Sequence, residues 1–74
     1  MNKTLEIVDY IKSYPRKHKE GYSNVEIIGI CEHYQVNSSR VYEKLFRTSH
    51  GVEVKNGDVI YDEDDVCNAF ASVL

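Results

Sequence analysis

The chain has 74 residues, of which 42% are hydrophobic and 28% charged, and its formal net charge is -3 at pH 7. This length suits one domain spanning residues 1–74, and the composition disfavours disordered, collagen-like and membrane proteins. No apolar run approaches the roughly 18 residues of a membrane span, and residues 1–6 do not resemble a signal peptide. The sequence therefore predicts a cytoplasmic protein with two reduced and buried cysteines, Cys31 and Cys67.

The charge is distributed unevenly along the chain. Residues 1–50 carry eight Lys or Arg and six Asp or Glu, a net of +2, whereas residues 51–74 carry one lysine and six acids, a net of -5. Such a division is compatible with one surface that faces a polyanion and another that repels it. A domain that is basic overall would be a stronger indication of nucleic-acid binding.

The first periodic segment predicts a helix over residues 3–13. Its apolar side chains recur on one face and are Leu5, Ile7, Val8 and Ile11. Pro15 prevents the helix from continuing. The polar and cationic stretch 16–21 ends in a glycine, which is typical of a loop.

The start of the second helix is the best-specified local feature. Ser23 and Glu26 have the spacing of a capping box, and Tyr22 and Ile27 occupy the positions of a hydrophobic staple. The apolar stripe of this helix is predicted to end near residue 34 and consists of Ile27, Ile28, Cys31 and Tyr34.

A third helix is predicted to begin at Ser38, after the N-cap residue Asn37. Val41 and Leu45 form its inward stripe, and Phe46 is a further candidate for that stripe. The side chains left for the outward face are Ser38, Ser39, Arg40, Tyr42, Glu43 and Arg47. Because only about three residues join the second and third helices, the two must cross steeply, which is helix-turn-helix geometry.

The period then changes from helical to alternating over residues 52–61, which predicts a β-hairpin. Asn56-Gly57 suits a two-residue type I′ turn. This turn predicts that Lys55 faces Asp58, Val54 faces Val59, Glu53 faces Ile60 and Val52 faces Tyr61.

A last helix is predicted to follow the N-cap residue Asp62, with the acids at 63–65 in its first turn, where the helix dipole favours negative charge. Its apolar stripe consists of Val66, Phe70, Val73 and Leu74. The predicted fold class is therefore α+β, mainly α: a three-helix core containing a helix-turn-helix, followed by a β-hairpin and a C-terminal helix.

Residues 3–61 resemble a winged helix-turn-helix domain in the order helix, helix, turn, helix, hairpin. The most specific stretch, 26–45, is similar to the bihelical unit of small bacterial and phage regulators. Cys31 stands where the family has a small residue, and Val36 and Val41 stand where it has buried aliphatic residues. Two positions differ from the family pattern: Gln35 replaces the usual glycine of the turn, and Leu45 falls one residue later than the family's helix-packing leucine.

The resemblance implies that the third helix enters the major groove of DNA and that the hairpin, as the wing, contacts the neighbouring backbone. The candidate DNA-binding residues are Lys17, Lys19, Ser38, Ser39, Arg40, Tyr42, Arg47 and Lys55. Arg40 and Arg47 would reach phosphates or a guanine edge. Each of these residues is equally compatible with an ordinary solvated surface. Glu43, on the same face, would repel phosphates unless it accepts a hydrogen bond from cytosine.

The sequence predicts no catalytic site, metal or cofactor. Its histidines lie in different segments, and Cys31 and His33 diverge around a helix too far to bind one metal. The four glycines are scattered and form no phosphate-binding loop.

Two classes of function remain. The first is a DNA-binding transcriptional regulator or accessory factor of a phage, plasmid or mobile element, expected as a homodimer because one such module buries little DNA surface. The second is a winged-helix protein–protein interaction module, an adaptor or inhibitor that does not bind DNA. It would use exposed tyrosines as anchors and the acidic residues 51–74 for electrostatic steering.

Overall fold

The computed structural model describes residues 3–54 and 57–74. The elements in chain order are α1 (Lys3–Ser13), β1 (Tyr22–Ser23), α2 (Asn24–Tyr34), α3 (Ser38–Thr48), β2 (Val52–Glu53), β3 (Val59–Tyr61) and α4 (Glu63–Val73). Four helices and a small antiparallel sheet confirm the predicted mainly α, α+β class. Each helix has 11 residues, so among the described residues no helix has the length and apolar character needed to cross a membrane.

The helices begin where the sequence predicts because their caps are formed by neighbouring side chains. The capping box at the start of α2 is present. Asn37 caps α3 by accepting the N–H of Ser39 at 2.9 Å, and Asp62 caps α4 by accepting the N–H of Asp64 at 3.0 Å. These bonds satisfy backbone donors that have no partner within the helix.

The turn between α2 and α3 has the predicted length, residues 35–37. Gln35 has left-handed backbone angles, φ 56° and ψ 43°, and its N–H donates to the carbonyl of Glu32 at 3.2 Å. Glycine is the residue that adopts this conformation without steric cost. Gln35 therefore adopts the backbone conformation that favours glycine in this turn, at the steric cost of having a Cβ atom.

The strand β1 was not predicted. Its two residues pair with β3 in the register Tyr22 with Tyr61 and Ser23 with Ile60, and the sheet order is β1-β3-β2. Gly21, just before the strand, lies so close to β3 that a Cβ atom would overlap the carbonyl oxygen of Tyr61. A two-residue strand is too short to show an alternating pattern, so no local signal reveals it.

The predicted register of the hairpin is wrong by one residue. The observed pairs are Val52 with Ile60 and Glu53 with Val59. They replace the predicted pairs Val52 with Tyr61, Glu53 with Ile60 and Val54 with Val59. The N–H of Val54 donates to the carbonyl of Asp58 at 2.9 Å, and the N–H of Gly57 donates to the carbonyl of Val54 at 2.9 Å. Three residues thus separate Val54 from Asp58, the last positions joined by a cross-strand hydrogen bond, and Gly57, with φ 81°, supplies the left-handed residue that such a bulged loop requires. The predicted pair of Lys55 with Asp58 lies outside the described residues.

The core lies between α4 and the helices α1 and α3, with α2 and the sheet closing it. The largest fully buried side chains are Ile11, Tyr22, Ile27, Ile30, Val41, Leu45, Val66 and Phe70. Cys31 and Cys67 are free and buried, as predicted.

Three predicted inward residues lie at the surface instead. Leu5 is 60% exposed, Ile28 is 43% exposed and Phe46 is 50% exposed. In α1 and α2 the buried positions include Ile7 and Ile30. Residues two apart lie about 200° from each other around a helix, so Leu5 and Ile28 face away from the core when Ile7 and Ile30 face it.

Candidate nucleic-acid interface

The outward face of α3 is the surface that the sequence singles out, and most of it is exposed. Val41 and Leu45 are fully buried and fix the rotation of the helix. The exposed side chains are Ser39, Arg40, Glu43, Phe46 and Arg47. Ser38, at the first helical position, is half-buried.

Arg40 is the freest cation on this face. Its side chain is exposed and makes no hydrogen bond or ion pair with any other described residue. It stands in the first turn of α3, directly after Ser39, whose N–H is held by the cap Asn37. The cap therefore fixes the backbone next to Arg40 while its guanidinium stays available to a ligand.

Arg47, one of the predicted contacts, is paired with the acid on the same face. Its Nη2 lies 3.4 Å from Oε1 of Glu43, and both side chains are more than 60% exposed. An exposed pair of this kind contributes less than about 1 kcal/mol, so Arg47 can exchange Glu43 for a phosphate at small cost.

Lys44 was overlooked, although its spacing gives a clear signal. Arg40, Lys44 and Arg47 stand at i, i+4 and i+7, which places them along one side of α3. We call these three residues the cationic flank. It borders a groove of about 240 Å³ between α3 and α4, lined by Lys44, Arg47, Thr48, Asn68, Ala69 and Ser72.

Tyr42 has a structural role that the sequence did not predict. Its hydroxyl donates to Oδ1 of Asn24 at 2.6 Å, which ties α3 to the first turn of α2. Its ring packs against Phe46 and Tyr61, with centroid distances of 5.4 and 6.2 Å. Burial raises the pKa of Tyr42 to about 12. The hydroxyl is already engaged, so Tyr42 offers a ligand little more than the edge of its ring.

The loop before β1 brings Lys17 to the start of α2. A groove of about 480 Å³ is lined by Lys17, Ser23, Asn24, Val25, Glu26, Asp58 and Val59. Asn24 in this groove is the residue that binds Tyr42, so Lys17 and α3 border the same end of α2. The hairpin contributes an acid here: Oδ2 of Asp58 lies 3.9 Å from Nζ of Lys17 and 3.1 Å from Nε2 of His18.

Of the two remaining predicted cations, Lys19 forms no hydrogen bond or ion pair with α3. Lys19 is exposed within the turn that the pairing of His18 with Gly21 closes. Lys55 lies outside the described residues. The structure thus gathers the predicted contacts on α3 and places Lys17 beside them.

Within residues 3–54 and 57–74, no group of three or more His, Cys, Asp or Glu side chains is placed to hold a metal ion. Comparison with known proteins finds no matching protein-family model, no similar curated protein and no similar solved structure. The interface described above is therefore the basis for a functional proposal.

Proposed function

We propose that the protein is a small cytoplasmic regulator that binds double-stranded DNA through α3, the second helix of a winged helix-turn-helix. The observation that carries this proposal is the cationic flank along one side of α3, in which Arg40 and Arg47 are exposed and Lys44 is half-buried, on a helix that a three-residue turn joins to α2. Cations along one side of a helix can follow the phosphates that border the major groove.

Each residue of the interface has a separate role in this proposal. Lys44 and Arg47 bind phosphates, which supplies affinity without sequence information. Arg40 and Ser39, in the first turn of α3, reach base edges, since the N-terminal residues of such a helix enter the groove first. Lys17 binds the neighbouring backbone beside the start of α2.

The salt dependence of binding tests the proposal. Fluorescence anisotropy of a labelled mixed-sequence duplex, titrated with the protein at several salt concentrations, gives the slope of log K against log salt. Arg40→Ala and Arg47→Ala should each weaken binding, and loss of one phosphate contact reduces the slope by about 1. Lys3→Ala is the matched control, because Lys3 lies in the first turn of α1, 3.5 Å from the carbonyl of Leu74. Equal binding by all three variants would refute the proposed face.

Glu43 provides a test in the opposite direction. Replacing it by glutamine removes a negative charge from the centre of the face and frees Arg47, so Glu43→Gln should bind a mixed-sequence duplex more tightly. Glu6→Gln, the same change at an exposed residue of α1, should leave the affinity for DNA unchanged. Weaker binding by Glu43→Gln at every sequence would contradict the proposed orientation of α3.

A second candidate function, binding to a protein partner, is favoured by one observation. Apolar side chains are exposed on α2, β2 and α3: Val25 is 81% exposed, Val52 is 65% exposed and Phe46 is 50% exposed. Exposed apolar residues surrounded by polar ones are typical of protein interfaces. Absence of duplex binding at tens of micromolar protein and low salt would favour this function. A pull-down from the native host, compared with Val25→Ser, would then test it.

A further inference from the structure

Phe46 occupies an unusual place for a large apolar residue. It lies on the outward side of α3, on the stripe that it shares with Ser39 and Glu43 at i-7 and i-3, and half of its surface is exposed. The other phenylalanine, Phe70, is fully buried. The stripe of Ser39, Glu43 and Phe46 therefore contains one large apolar group.

The ring of Phe46 is held firmly at the surface. Its centroid lies 5.4 Å from the ring of Tyr42 and 5.9 Å from the ring of Tyr61. Both supports are fixed, because the Tyr42 hydroxyl is bonded to Asn24 and Tyr61 is only 6% exposed. A ring held in this way loses little conformational freedom when it contacts a ligand.

We propose that Phe46 determines sequence specificity by contacting the C5-methyl group of a thymine in the major groove. This inference rests on the proposed DNA-binding function. Thymine is the only base that presents a methyl group in the major groove, and a phenylalanine ring can contact it there. The polar edges of the other bases offer the ring no comparable partner. Ser39 and Glu43, the other residues of this stripe, are polar, so Phe46 is the residue there that is suited to that contact.

The length of α3 also gives the position of the thymine within the site. Ser39 and Phe46 are seven residues apart, which corresponds to about 10 Å along a helix axis. Base pairs are stacked about 3.4 Å apart, so this distance spans about three steps. The thymine read by Phe46 is therefore expected no more than about three base pairs from the bases that Ser39 and Arg40 contact, because a helix inclined to the DNA axis spans fewer steps.

The experiment replaces thymine by deoxyuridine, which removes the methyl group and leaves base pairing intact. Duplexes that bind the wild-type protein are first selected from a random library, and each thymine of the selected site is then replaced in turn. One replacement should weaken wild-type binding about fourfold, the value expected for one buried methyl group. Phe46→Ala should bind the thymine and deoxyuridine duplexes equally. Leu5→Ala, which removes another exposed apolar side chain, should discriminate as the wild type does.

The outcomes separate this inference from the proposed function. Wild-type binding that is insensitive to every deoxyuridine replacement overturns the role of Phe46 and leaves DNA binding intact. The same conclusion follows if Phe46→Ala, shown to be folded by circular dichroism, still prefers thymine. If no duplex is selected at all, the DNA-binding proposal itself fails, and a protein partner becomes the occupant of this surface.

Discussion

Glu26 offers the sharpest test of how the interface is assembled. The residue is only 8% exposed. Its Oε1 accepts the N–H of Ser23 at 2.9 Å and the Ser23 hydroxyl at 3.3 Å, and its Oε2 accepts the N–H of Lys17 at 2.6 Å. One carboxylate thus joins the loop that carries Lys17 to the start of α2.

The substitution Glu26→Gln keeps the shape of the side chain and removes half of its acceptors. Glutamine has one acceptor oxygen, so its NH₂ group must face the backbone N–H of either Ser23 or Lys17. A hydrogen bond to a charged group contributes about 1.5–3 kcal/mol, and a part-buried donor is left without a partner. We expect a loss of about 2 kcal/mol in the free energy of unfolding. For a domain of this size that lowers Tm by roughly 10–15 °C.

Urea unfolding followed by far-UV circular dichroism measures this loss. Glu32→Gln is the control, because Glu32 lies on the same helix and is exposed, and its replacement should change stability by less than about 0.5 kcal/mol. If Glu26→Gln is as stable as Glu32→Gln, the carboxylate does not hold the loop. The position of Lys17 beside α2 would then need another explanation.

Three further predictions concern the backbone and the buried thiols. Gly21→Ala should destabilise the protein by more than about 2 kcal/mol in urea unfolding, since its Cβ would overlap the backbone of Tyr61. Gly57→Ala is the control: its Cβ would meet no atom within 4 Å, and the φ of 81° should cost only about 1 kcal/mol. Gln35→Gly should raise the free energy of unfolding by about 0.5–1 kcal/mol, because it relieves a left-handed residue, and an unchanged midpoint would contradict that strain. Burial raises the pKa of Cys67 from 9.0 to about 11, so the unfolded chain loses this proton first and stability should fall as pH rises from 9 to 11. Cys67→Ala should show a smaller fall over the same range.

The sequence predicts the starts of the helices well because the side chains that cap them are close in the sequence. Asn37 and Asp62 act within two residues of themselves, and the capping box of α2 spans three. The hairpin register is a different kind of problem. Asn-Gly is compatible with loops of two or three residues, and both place the glycine in a left-handed conformation, so the hydrogen bond from the N–H of Gly57 to the carbonyl of Val54 decides between them.

The proposed DNA-binding face was predicted as a helix surface but not as a set of contacts. The arginines of α3 are exposed as expected, because Val41 and Leu45 fix the rotation of the helix. The hydrogen bond between Tyr42 and Asn24 depends on the packing of α3 against α2, because the two residues are 18 positions apart in the chain. No pattern within either helix could indicate that bond. The exposure of Phe46 has the same origin, since Tyr61 supports its ring from the sheet.

The distribution of charge on the structure limits how the proposed DNA complex can form. The acidic segment 51–74 is not set apart from the basic loop: Glu63 lies 2.8 Å from Arg16, and Asp58 lies 3.9 Å from Lys17. Those two loop cations are partly neutralised before DNA arrives, so Lys44 and Arg47 of α3 must supply most of the phosphate contacts, with Lys17 as the third. Three contacts give a salt slope of about -3, and two copies of the chain on one duplex give about -5. A measured slope near -5 would therefore indicate that the protein binds as a dimer, whereas a slope near -3 would indicate that a single α3 suffices.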